Sequence, residues 1–71
     1  EVYFMKLPKK HRVWVRWTYN DNEYVTTTLG DDRSKYYMFR KNGDDYVQLG
    51  TNASPKKLED KVREGKYDKI K

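Results

Sequence analysis

The residues best placed to do chemistry stand near the start of the chain. Arg12, Trp14 and Arg16 occupy alternate positions in the run HRVWVRWTY, and in an extended strand that spacing puts cation, ring and cation on one face. Flat rings among cations suit nucleic acid, since bases stack on aromatic faces while Arg and Lys pair with phosphates. Lys9 and Lys10 lie immediately upstream and would extend the phosphate track. Tyr37, Phe39 and Tyr46 would join the same surface if their strands present matching faces. Single strands would stack on such a face, whereas a duplex would take the sheet into its major groove, where Arg12 or Arg16 would reach guanine edges. Both remain open.

Other chemistries have less to build on. His11 is the single histidine and there is no cysteine, so no thiol awaits a general base, and no serine stands in a nucleophile arrangement. No enzyme activity is expected. Lacking cysteine, the chain also has neither a disulfide framework nor a thiolate metal site. Asp21, Asp31-Asp32 and Asp44-Asp45 do not follow the order of a calcium loop, and turn chemistry accounts for them. No metal or cofactor is expected. In the lysine-rich C-terminus, Glu59 with Arg63 and Lys56 with Asp60 are i,i+4 pairs, the pattern of a solvated helix face.

These side chains need elements to hold them. Residues 11–19 alternate with period two, and residues 24–29 (YVTTTL) are rich in β-branched types. Asn20-Asp21-Asn22 between them reads as a three-residue hairpin loop, which sets Trp17 opposite Val25 and Val13 opposite Leu29. That register gathers Val13, Val15, Trp17, Val25 and Leu29 on one face and leaves Arg12, Trp14, Arg16, Tyr24, Thr26 and Thr28 on the other. A change of one residue in the loop would undo the match. A second hairpin joins residues 35–41 and 44–49 through Asn42-Gly43, a favoured turn dipeptide. Its register pairs Lys41 with Asp44 and Arg40 with Asp45, with Tyr36, Met38, Val47 and Leu49 on one face and Tyr37, Phe39, Tyr46 and Gln48 on the other.

Ser54-Pro55 opens a helix of about ten residues and Gly65 closes it. Leu58 and Val62 form its apolar stripe and must dock on the sheet. Residues 2–5 are a candidate edge strand, or residues 1–4 precede a native start at Met5; residues 66–71 read as a tail that frays or extends the helix contact. The expected fold is α+β: a small twisted antiparallel sheet of four strands, with a candidate fifth, built from two hairpins and covered on one face by a C-terminal helix.

The whole-chain arithmetic agrees with a single domain spanning residues 1–71. Ile, Leu, Val and Phe make up about 18% of the 71 residues, just under the roughly 20% that marks disordered chains. Seven Tyr and two Trp offset the shortage, because their rings bury apolar area while their polar tips reach water. The net charge of +5 is uneven, with both ends basic and residues 21–55 slightly acidic. No apolar run approaches the roughly 18 residues that span a bilayer, and the start lacks the order of a signal peptide. A cytoplasmic protein without membrane contact is expected.

These observations lead to a small basic nucleic-acid-binding module that uses Lys9, Lys10, Arg12, Trp14, Arg16, Tyr37, Phe39 and Tyr46. The rival is a protein-binding inhibitor or adaptor, of the accessory type found in phages and mobile elements. It would use the same face, rich in interface-prone Tyr, Trp and Arg, or an edge strand.

Overall fold

The structure is a computed structural model and describes residues 6–69. Four antiparallel strands, β1 (His11–Tyr19), β2 (Asn22–Leu29), β3 (Asp32–Asn42) and β4 (Asp45–Asn52), form one sheet in the order β1-β2-β3-β4. One helix, α1 (Pro55–Arg63), follows. The α+β expectation therefore holds; the candidate strand at residues 2–5 lies outside the described residues.

The β1–β2 turn is one residue shorter than expected. Asn20 and Asp21 both have positive φ, 50° and 64°, as the two central residues of a type I′ turn require. Asn22 thereby joins β2, and Trp17 faces Tyr24 rather than Val25. The single-residue slip turns β2 over: Tyr24 sits in the helix-side core, while Val25 packs on the other face beside Phe39. Tyr24, Thr26 and Thr28, expected outside, thus stand on the helix side.

A bulge between Val13 and Val15 then breaks the alternation of β1. Val15 lies on the helix side with Thr26, whereas Val13 lies on the opposite side with Thr27. Neither joins the core as expected: Val13, Val15 and Leu29 are all more than 40% exposed.

In the second hairpin, faces agree with expectation and register does not. Gly43 and Asp44 form the turn, with Gly43 at φ 63° and Asn42 outside the positive region, the type II′ pattern. Asn42 pairs with Asp45, Lys41 with Tyr46 and Arg40 with Val47. Lys41 instead meets Glu23 of the neighbouring strand β2 at 3.7 Å. The shift is two residues as far as Phe39↔Gln48 and three beyond the irregularity between Met38 and Phe39, and Tyr36, Met38, Val47 and Leu49 still share the core face.

α1 closes that face through Leu58 and Val62, both buried. Pro55 begins the helix without sacrificing a needed N–H, although the Ser54 hydroxyl makes no capping bond; its N–H donates to Asn52 Oδ1 at 2.9 Å. At the other end Gly65, at φ 77°, lets its own N–H reach the Val62 carbonyl and the Lys66 N–H reach that of Lys61. These two bonds make a Schellman stop. Tyr67 folds back onto the core, so close that a Cβ on Gly50 would lie 2.6 Å from its hydroxyl.

The face away from the helix is closed as well. Val25, Thr27 and Phe39 are at most 2% exposed, so the middle of β2 and β3 is buried on both sides. The three buried threonines of β2 keep their hydroxyls bonded: Thr26 to Met38 Sδ, Thr27 to His11 Nδ1 and Thr28 to the Gly30 carbonyl. Satisfied in this way, a polar run can occupy a core strand.

Candidate nucleic-acid interface

The bulge divides the expected surface in two. Arg16 stays on the face away from the helix, where its guanidinium approaches the Tyr46 hydroxyl at 3.4 Å. The two residues belong to opposite edge strands, and between them in register lie Val25 and Phe39. Their contact thus arches over the buried layer. Tyr37 is half-buried on the same face, with His11 against its ring at 4.5 Å and the Lys35 ammonium 5.3 Å above it. Phe39 lies beneath with 0% exposure. Its expected role as a contact is corrected: it is core, and no ligand touches it without unfolding the layer.

Arg12 and Trp14 go to the helix side. Arg12 is aligned with Thr28 and Tyr36, and the Trp14 ring meets Tyr36 edge-on at 5.3 Å. The helix does not cover this corner, because it runs diagonally. It starts just after Asn52, which pairs with Tyr36, and ends where Arg63 lies over the rings of Trp17 and Tyr19 at the other end of β1. Trp14 remains 43% exposed, with the Arg33 guanidinium 4.7 Å above its ring.

Arg33 lies outside the expected strand, which started at residue 35, and Lys35 lies inside it without having been assigned to the surface. The irregular pairing between Thr28↔Tyr36 and Leu29↔Asp32 carries residues 33–35 in an extended step, from which Arg33 reaches the Trp14 ring of β1. Asp32 holds that step: its carboxylate accepts from the N–H and hydroxyl of Ser34. Those bonds, the hydroxyl first, lower its pKa below the ordinary carboxylate value.

Both parts of the surface meet at one end of the sheet. Lys10 is fixed there by its carbonyl, which accepts the Gly30 N–H at 2.9 Å, and Arg12 reaches Asp31 at 2.5 Å. Lys9, Lys10, Arg12, Arg33 and Lys35 thus gather around Asp31 and Asp32 for an excess of positive charge. The opposite end, at the β1–β2 and β3–β4 turns, holds Asp21, Glu23, Asp44 and Asp45. Lys6 is drawn to that acidic end, donating to the Asp44 carbonyl at 2.7 Å and pairing with Asp45 at 3.4 Å. At the first end the cations outnumber the carboxylates, whereas at the second Lys6 and Lys41 are paired with carboxylates.

His11 belongs to the positive end by backbone but not by charge. Partial burial against Tyr37, Phe39 and Thr27 lowers its pKa, because removal from water penalises the imidazolium. Among the described residues, no three of His, Asp and Glu converge on a metal-sized space. No family model, no curated protein and no solved structure matches the chain.

Proposed function

We propose that the chain is a small nucleic-acid-binding module that uses the positive end of its sheet. One observation carries the reading: two rings at that end, the exposed Trp14 and the half-buried Tyr37, are paired with cations, Arg33 over Trp14 and Lys35 over Tyr37. A ring with a cation beside it offers a stacking surface and a phosphate partner in one place. Lys9, Lys10 and Arg12 supply further phosphate contacts. The exposed Arg12–Asp31 pair is worth at most about 1 kcal/mol, so a phosphate can displace the carboxylate. Arg16 and Tyr46 flank this site on the other face. A cytoplasmic location is part of the proposal and suits a chain without cysteine. Among the described residues, no helix is long and apolar enough to cross a membrane.

The test is fluorescence anisotropy with a labelled oligonucleotide over a range of salt. Binding whose log K falls linearly with log salt, with a slope of about −0.7 per contacted phosphate for single strands or −0.9 for duplex, is expected. A flat response or no binding rejects it.

A second reading has its own observation. Val13, Trp14 and Val15 are consecutive exposed apolar residues on an edge strand, with exposed Leu29 beside them, the kind of surface a partner protein covers by adding a strand. Pull-down before and after nuclease treatment separates the two, since a partner retained after nuclease favours protein docking.

A further inference from the structure

We infer that the nucleic acid is single-stranded and that one base stacks on Trp14, in the position now taken by the Arg33 guanidinium. The inference rests on the nucleic-acid reading above and narrows it.

A duplex read by a sheet needs an open face several strands wide to enter a major groove about 12 Å across. This sheet has none in its middle. Tyr24 and Met38 are buried on one side and Val25, Thr27 and Phe39 on the other, and the Arg16–Tyr46 contact arches over the second side. The surface that remains is a ledge formed by β1 and the first residues of β3.

On that ledge Trp14 is displayed in a way that stability does not explain. Aromatic side chains contribute most when their large area is buried, yet a bulge lifts this indole out of strand alternation and leaves it 43% exposed. Bulges commonly re-aim a side chain next to a functional site. Tyr36, edge-on at 5.3 Å and 71°, fixes the tilt of the indole, so little ring motion remains to be lost on binding. Arg33 lies over the ring, and among the described residues no ion pair holds it. A nucleobase is flat like the guanidinium and can replace it there, freeing Arg33 to meet the adjoining phosphate. Unstacked bases are presented by single strands; in a duplex they are already stacked on each other.

The experiment uses the Trp17→Phe protein, in which Trp14 is the one remaining indole. An eight-nucleotide single strand, a duplex of the same sequence and an octaglutamate peptide are titrated against it. The single strand is expected to quench Trp14 fluorescence and to bind at least tenfold more tightly than the other two. Trp14→Ala should weaken single-strand binding by about 5- to 160-fold, the range set by loss of one base–aromatic stack. Trp14→Leu, which keeps apolar bulk without a ring, should behave alike and serves if the alanine variant does not fold. Duplex binding equal to single-strand binding, or single-strand binding that survives both substitutions, overturns the inference while leaving the nucleic-acid reading intact. Tighter binding of octaglutamate, or no binding of either nucleic acid, overturns both.

Discussion

Trp14 keeps the exposed place its sequence position suggests, and Phe39 does not. Both are rings on strands with cations as neighbours, and both were expected on one contact face. Phe39 is instead fully buried, while Trp14 is nearly half exposed. Substitution should separate them clearly. Phe39→Ala should cost about 3–5 kcal/mol, the usual range for a buried phenyl ring and the cavity it leaves. Trp14→Ala, which gives up only partial burial and one edge-on contact, should cost about 1 kcal/mol. Urea denaturation of the two variants measures both, and a Trp14→Ala loss as large as that of Phe39→Ala would place the indole in the core. His11 supports a second prediction at this scale. Its pKa is lowered from the ordinary value of 6.5 by burial, so the unfolded chain takes up a proton before the folded one does. Stability is therefore full above pH 6.5 and declines as pH falls through that value toward the folded pKa, below which the effect levels off. The urea midpoint should fall between pH 7.5 and pH 5 by more in the wild type than in His11→Asn, where that contribution is absent.

At the scale of elements, hairpin turns decided what could be read in advance. Element type and order were legible throughout: period-two runs became strands, and Ser54-Pro55 and Gly65 bracketed the helix. The faces of β3 and β4 were legible even though their register was not, because each strand's own alternation sets its faces: the shift is two residues near the turn, and the bulge between Met38 and Phe39 absorbs the odd residue beyond it. β1 and β2 were less forgiving. Asn20-Asp21-Asn22 serves a two-residue or a three-residue loop equally well, and the choice turns β2 over. The bulge at Trp14 has no local signal, since HRVWVRWTY alternates without a break. For the same reason the candidate site was only partly legible: Lys9, Lys10, Arg12 and Trp14 converge, Arg16 and Tyr46 lie across the sheet, and Arg33 and Lys35 arrive through an irregular pairing. The turn itself is open to test. Asp21 bears a side chain at φ 64°, where glycine pays little, so Asp21→Gly should raise stability by about 0.5–1 kcal/mol. Gly43→Ala, at φ 63°, should lower it by about 1 kcal/mol. A thermal melt reports both signs, and a loss on Asp21→Gly would mean that the aspartate side chain, not the backbone, sets the turn.

Over the whole molecule, a net charge of +5 tells less than where the charge sits. Lys9 and Lys10 belong to the positive end of the sheet, where Arg12 and Arg33 are also found. Lys61 and Lys66, by contrast, flank the C-terminal end of α1, the end at which Arg63 covers Trp17 and Tyr19. Changing either lysine pair to glutamate alters net charge by the same amount. If attraction to a polyanion depended on total charge alone, the two double variants would bind nucleic acid equally weakly. A localised site predicts otherwise. Lys9→Glu with Lys10→Glu should weaken binding alike for all sequences and reduce the single-strand salt slope by about 1.4, the share of two phosphate contacts at roughly 0.7 each. Lys61→Glu with Lys66→Glu should leave the slope unchanged and lower affinity only through the longer-range field, an effect that fades at physiological salt, where screening acts over about 8 Å. Because all four lysines are exposed, neither pair should shift stability by more than about 0.5 kcal/mol apart from a few tenths for a carboxylate at a helix C-terminus. Equal slopes in the two double variants would show that charge, not place, governs this protein's binding.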